Sequence, residues 1–338
     1  MVAHYTNTNP SRKRIFLSRF STYVPSDYTD INSYINYFKK KTEKFDEHNP
    51  LHWFYESNQK SISDLHKRNK TLPQGSRELS IPFCIKSQSD YAIECINNFY
   101  DIRDQVDVLC YCHETIEESH AILPALKLKE KSGIKSAMAF SVGHYGSLGT
   151  LSALDLMKAL FADDMVRNIM LVVNDRIIPP FSRINYHGYL KGDATTVINI
   201  SPREGPFEVT QIFISHIHSN TPFYNWSLEQ FSKYETQMIL STQDFLKNKL
   251  SHSIDYFIPH MFSERFLNEI SNTCFSMGIK MFQRKKWPKI NFLGSDSFIS
   301  LEELINTESL KENNTILLSV CSPDIGVGFL EIKVGRKI

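Results

Sequence analysis

Short apolar runs alternate along the chain with segments whose apolar residues recur every third or fourth position. The runs predict strands and the periodic segments predict helices. Residues 14–23 (RIFLSRFSTY) read as a first strand that ends at Val24-Pro25. Residues 29–45 are amphipathic and close on the basic run KKKTEKF, a solvated helix face. Residues 46–78 are polar throughout and read as an irregular excursion around the aromatic knot His52-Trp53-Phe54-Tyr55. Helices are expected over 87–103 and 121–131, with a buried strand at 106–112 (VDVLCYC) between them.

The stretch 136–177 organises the rest. Met138 to Val142 is an apolar run with a β-branched end, and Gly143, Gly146 and Gly149 then bend the chain. Leu151, Leu154, Met157, Ala159 and Leu160 recur at helical spacing among apolar neighbours, and 168–173 returns as a second buried strand. A helix this apolar belongs in the interior. Its first turn therefore opens among buried groups, and the residue there is Ser147. A hydroxyl at a buried helix N-terminus meets unpaired N–H groups and the positive end of the dipole. Those features can position a nucleophile; the same hydroxyl can serve simply as an N-cap.

The pattern then repeats its rhythm without repeating its sequence. A strand is expected at 195–200 (TTVINI), after the turn Lys191-Gly192-Asp193. Residues 201–206, with two prolines and a glycine, read as a boundary. Beyond it come a strand over 207–218, a long helix over 227–250, a short apolar strand at 254–259 (IDYFIP) and a helix over 263–277. A turn and helix over 291–304 and closing strands at 314–321 and 328–334 complete the chain. Strand–helix alternation on both sides of the boundary argues an α/β fold with largely parallel connections.

Composition narrows the class. At 338 residues the chain can form two modest domains or one large duplicated one. A net charge of +1 gives no electrostatic sign of a nucleic-acid or membrane-surface partner. No apolar run is long enough to span a bilayer, and IFLSRF after the basic start is too short for a secretion-signal core. Cys84, Cys95, Cys110, Cys112, Cys274 and Cys321 are scattered through apolar contexts, as expected of reduced thiols in a cytoplasmic protein.

Several clusters carry candidate chemistry. Cys110-Tyr111-Cys112-His113 would set both cysteines on one face of a strand, but no second cluster completes a tetrahedral metal site. His216 and His218 alternate in the same way, with no third ligand near. Gly146-Ser147-Leu148-Gly149 approaches the hydrolase elbow, but position 145 is tyrosine. His260 follows the strand IDYFIP and precedes a helix, at the strand end where α/β folds collect functional groups. Ser147 holds the equivalent junction in the first half.

In this order the motifs resemble the type III 3-oxoacyl-(acyl-carrier-protein) synthases of the thiolase fold. The family's nucleophile segment runs phenylalanine, a few residues, Cys-x-Gly, three residues, Ala-Leu; Phe140, Ser147-Leu148-Gly149 and Ala153-Leu154 fit that register. Its Gly-Asp-Gly-Ala looks like Gly192-Asp193-Ala194, and its Pro-His-Gln-Ala-Asn looks like Pro259-His260-Met261-Phe262-Ser263. Its Gly-Asn-Thr-Ser looks like Gly294-Ser295-Asp296-Ser297, and its last glycine-rich turn falls at 321–328. The match covers roughly residues 80–338. The resemblance implies an α/β thiolase-like fold, with two pseudo-duplicated halves in an αβαβα arrangement. The first half, 1–203, carries the nucleophile position and the second, 206–338, the histidine.

The departures bear on function. Ser147 replaces the family's cysteine, and a serine needs a base to attack a thioester. The family's asparagine, which with the histidine supports decarboxylation, becomes Ser295 beside Asp296. A glycine N–H that serves the family as an oxyanion donor aligns with Pro323, which has no N–H. The family's Trp–Arg–Thr–Gly segment is not recognisable around Trp53, where Ser57 to Lys60 stand instead.

Two readings follow. In the first, Ser147 takes an acyl group from coenzyme A or from the phosphopantetheine of an acyl-carrier protein. His260 acts as general base, oriented by Asp296 or Ser295, and no cofactor or metal is bound permanently. In the second, the chain is a catalytically silent partner of an active ketosynthase. The resemblance implies a dimer in either case, with itself or with a homologue.

Overall fold

The computed structural model describes residues 14–43, 67–76, 78–115, 123–177, 182–184, 186–217, 226–250, 252–323 and 325–336. Most of the excursion at 46–78, including the aromatic knot and Ser57 to Lys60, lies outside these residues.

The first part of the chain forms β1 (Ile15–Tyr23), β2 (Tyr28–Thr29), α1 (Ile31–Glu43), β3 (Ile81–Pro82), α2 (Gln88–Ile96), β4 (Val108–Cys112) and α3 (Pro124–Ser132). The focal stretch supplies β5 (Met138–Val142), α4 (Gly149–Leu160) and β6 (Ile169–Asp175), and β7 (Leu190–Lys191) and β8 (Ala194–Ser201) follow. After the turn at 202–206 come β9 (Phe207–His216), α5 (Leu228–Asp244), β10 (Tyr256–Ile258), α6 (Glu264–Ser276), β11 (Lys280–Met281) and β12 (Ile290–Asn291). The chain closes with α7 (Asp296–Thr307), β13 (Thr315–Ser322) and β14 (Gly326–Val334).

Ten strands form one hydrogen-bonded sheet in the order β11-β10-β13-β14-β9-β1-β8-β6-β4-β5. The order is duplicated. Counted along the chain, β1, β4, β5, β6, β8 and then β9, β10, β11, β13, β14 each pair third-second-fourth-fifth-first. Pairs at the two outer ends are parallel and those toward the middle antiparallel. Within this sheet the two sets are joined through β1 and β9, at Ile15–Val209, Phe16–Glu208 and Leu17–Phe207, and a short parallel pair, β7 with β12, links the halves again at Leu190–Ile290 and Lys191–Asn291.

Strand alternation sorts the side chains into layers. Cys110 and Cys112 point into a central core that also holds Leu151, Leu154 and Met157 of α4 and Phe298, Leu301 and Leu304 of α7. Inner-face residues of both strand sets, such as Leu171 and Leu318, line the same core. Leu109 and Tyr111 point the other way, against Ala92 and Ile96 of α2 and Leu128 of α3. Phe257 and Leu317 of the second set face Phe231 of α5 and Phe266 and Ile270 of α6. The result is helix, sheet, helix, sheet, helix. A helix shared between the two strand sets of one sheet has no solvent face, which is why α4 reads as apolar nearly all round.

Three elements depart from the periodicity. The helix expected over 87–103 ends at Ile96 and continues as a 3-10 turn over Asn97–Gln105, with Phe99 off helical geometry at φ −114°. Arg19 of β1 fastens this turn: its guanidinium binds the Asp101 carboxylate at 3.0 Å and the Asn98 carbonyl, and lies over the Phe99 ring. The helix expected over 227–250 starts at a capping box between Ser227 and Gln230 but widens into a π-turn over Phe245–Lys249. Phe245 then stacks on Phe329 at 4.0 Å between ring centroids. Finally, α4 has no side-chain N-cap, and Ser147 sits before it in a 3-10 turn over Gly146–Leu148. No helix among the described residues is long and apolar enough to cross a membrane.

Candidate functional site

The chain leaves β5 and reverses through His144 at φ 62° and Gly146 at φ 50°. Glycine suits that second angle, and a Cβ at Gly146 would collide with the Ser322 side chain at the end of β13. Leu148 is fully buried in the central core, so the turn is pinned on both sides of Ser147. Ser147 is itself 2% exposed, and its hydroxyl donates to Glu114 Oε2 at 2.6 Å. The N-cap reading of this hydroxyl is corrected: α4 has no side-chain cap, and the hydroxyl proton goes to Glu114.

Glu114 lies just beyond β4, and its position is fixed through its backbone. The N–H groups of Glu114 and Thr115 donate to Asp175 Oδ1 at 2.7 and 3.1 Å. Asp175 ends β6, and its other oxygen accepts from the Gly294 N–H at 3.3 Å. Burial raises the Asp175 pKa, against the backbone donors from Glu114, Thr115 and Gly294 that favour its charged form. One buried carboxylate thus ties the Glu114 turn to the turn over Leu293–Ser295.

His260 is fully buried two residues beyond β10, its backbone N–H donating to Ser319 Oγ at 3.0 Å. Neither ring nitrogen makes a well-aligned hydrogen bond among the described residues, although the Asn291 side chain favours the charged form of the ring. Nδ1 lies 3.8 Å from Asp296 Oδ2. Burial holds the imidazole below its ordinary pKa; Asp296 opposes that shift and the Arg284 charge adds to it. The ring is therefore neutral at neutral pH.

Asp296 opens α7 with both carboxylate oxygens engaged. Oδ2 accepts from the Met261 N–H at 2.7 Å, and Oδ1 from the Phe292 N–H at 3.0 Å and Arg284 Nη2 at 2.8 Å. Burial pushes its pKa up, but the Arg284 charge and these hydrogen bonds outweigh that and hold it below the usual value. Asp296 is an ionised brace between the loop after β10 and the head of α7. Ser295 is also buried, and its hydroxyl donates to the Val173 carbonyl at 3.3 Å.

The turn carrying Ser147 packs against the turn carrying Ser295 and against β13. His260 and Asp296 are brought together as expected of neighbours. The serine–histidine hydrogen bond is not formed: Ser147 binds Glu114, and the His260 nitrogens stay open. Three polar groups central to the site escaped the sequence reading. Glu114 is 33 positions from Ser147, with no spacing to link them. Asp175 ends an apolar strand, and Arg284 begins a run, Arg284-Lys285-Lys286, that reads as solvated although the Arg284 side chain is fully buried.

The other candidates resolve as structure. Burial pushes the Cys110 thiol up to about 12 and holds Cys112 well above its ordinary value. His216 is hydrogen-bonded to the Tyr145 hydroxyl, and His218 lies outside the described residues. Among the described residues no group of three or more His, Cys, Asp or Glu side chains could hold a metal ion. A cleft of about 530 Å³ flanks the loop after His260, lined in part by His187, Glu235, Glu264 and Arg265. Its one guanidinium is paired with Glu235 at 3.1 Å.

No protein-family model matches the sequence, and no curated protein matches it. Solved structures do match. The acyltransferase ChlB3 is 15% identical, with 95% of this chain and 98% of that chain covered at a TM-score of 0.64. The 3-oxoacyl-(acyl carrier protein) synthase III FabH from Pseudomonas aeruginosa PAO1 is 12% identical, covering 97% of this chain and 100% of that chain at 0.65. A priming β-ketosynthase of a polyketide biosynthetic pathway is 10% identical, covering 96% and 97% at 0.67. The chain has the thiolase-like fold of these FabH-type condensing enzymes.

Proposed function

We propose that this chain is an acyltransferase on a condensing-enzyme fold. Ser147 takes an acyl group from the thioester of coenzyme A or of a carrier protein's phosphopantetheine and passes it to an acceptor, in fatty-acid-like or specialised-metabolite biosynthesis. The observation that carries this reading is the Ser147 hydroxyl, held 2.6 Å from a carboxylate at the interior end of the central helix. His260, neutral and with both ring nitrogens open, is the group left to hydrogen-bond a substrate. Decarboxylative condensation has less support, because the Ser295 hydroxyl is bound to the Val173 carbonyl and offers no donor to an enolate.

The second reading is a silent partner subunit of a ketosynthase. The absence of a Ser147–His260 hydrogen bond and the proline at position 323 favour it. Intact-mass measurement after incubation with acyl-coenzyme A or acyl-carrier protein separates the two. An acyl adduct that Ser147→Ala abolishes is the expected result. No adduct with any donor, together with co-purification of a second synthase, would sink the acyltransferase reading. As an acyltransferase the chain pairs with itself; as a silent subunit it pairs with its active homologue.

A further inference from the structure

We infer that Glu114, and not His260, is the general base that takes the Ser147 proton. The inference rests on Ser147 being the nucleophile of the proposed reading. Three observations carry it. The Ser147 hydroxyl donates to Glu114 Oε2 at 2.6 Å, well within hydrogen-bond reach. The His260 nitrogens, the alternative acceptors, make no hydrogen bond to the Ser147 hydroxyl. The backbone that carries Glu114 is clamped, with two successive N–H groups on the buried Asp175 carboxylate. A base must be within hydrogen-bond reach of the proton it removes, and among the described residues Glu114 is the acidic or basic side chain that accepts the Ser147 hydrogen bond.

The step balances. As Ser147 Oγ forms its bond to the thioester carbonyl carbon, its proton passes to Glu114 Oε2. The tetrahedral intermediate then breaks its C–S bond, and the leaving thiolate takes the proton back from Glu114. The products are the Ser147 ester and a free thiol. A thiolate is more basic than a carboxylate by about four pKa units, so the return transfer runs downhill. Cysteine in place of Ser147 would not need this device, because a thiol supplies its own thiolate. A carboxylate beside it would raise the thiol pKa by like charge.

That difference gives a test independent of the acyl donor. Wild type, Glu114→Gln and His260→Gln are treated with a fluorophosphonate, which labels an activated serine without needing a thioester site. Labelling is read by peptide mass at Ser147. The amide keeps an acceptor for the hydroxyl but cannot take its proton, so Glu114→Gln should slow labelling by about 10²- to 10⁴-fold. His260→Gln should leave it within about tenfold of wild type. In a Ser147→Cys background, Glu114→Gln should instead accelerate alkylation by iodoacetamide, a reversal of sign that loss of packing would not produce. Equal labelling of Glu114→Gln and wild type, or no labelling of wild type, overturns the inference. Glu114-dependent labelling without any acyl adduct leaves the inference standing and removes the acyl-transfer reading.

Discussion

His260 carries an imidazole into a fully buried position, so its proton is linked to folding. Its folded pKa is lowered, first by burial. His113 is shifted the same way, also chiefly by burial. For a base the sign is as follows: above about pH 6.5 both states are neutral and the shift has no effect on stability. Below that, the unfolded chain binds a proton that the folded one refuses, and stability falls with pH until the folded pKa is reached. Each group contributes at most about 1.4 kcal/mol per pH unit in that window. Asp296 works lower, since its depressed pKa gives a stability present above about pH 3.9 and lost as pH falls through the folded value. Urea unfolding between about pH 7.5 and about pH 5.5 should therefore show stability declining, and His260→Gln should flatten the decline. An identical slope in the variant would show that His260 is protonated in the folded state.

At the scale of elements, the turn between β5 and α4 decides where the nucleophile sits. Gly146→Ala would place a Cβ against Ser322 at a φ of 50°, so the turn must shift. The expected cost is about 1–3 kcal/mol of stability. Labelling of Ser147 should be lost while the circular dichroism of the fold is kept. Full labelling in Gly146→Ala would mean that the turn tolerates displacement and that the geometry around Glu114 is not critical. The glycine was legible in the sequence because a bend between two apolar elements needs such a residue. What it bends around was not, because Ser322 is 176 positions away, a separation given by the two residue numbers.

The whole molecule is two copies of one strand order around a shared helical layer. The direct strand pairing between the copies is short among the described residues, three pairs at β1 and β9 and two at β7 and β12, so the central core must carry most of their coupling. Leu154 of α4 and Leu301 of α7 are both fully buried in it. Truncating either to alanine should cost about 2–5 kcal/mol. Each variant should shift a single cooperative transition, whether followed by fluorescence or by circular dichroism. Two separated transitions, only one of them moved by each variant, would show that the sets fold apart and that the central layer does not couple them.

Local pattern determined the strands and helices, the interior place of α4, the bend at Gly146 and the serine at the junction. Apolar spacing and turn residues act over a few neighbours, so a single sequence displays them. Tertiary structure alone decided which polar groups meet. It turned Ser147 from a helix cap to the partner of Glu114, made Asp296 a fully bonded brace, and buried Arg284 out of a run that looks like surface. It also ended α2 at Ile96, short of the expected span, where Arg19 from another element binds the 3-10 turn that follows. A charged or hydroxyl side chain takes its role from what surrounds it after desolvation, and those surroundings come from distant parts of the chain.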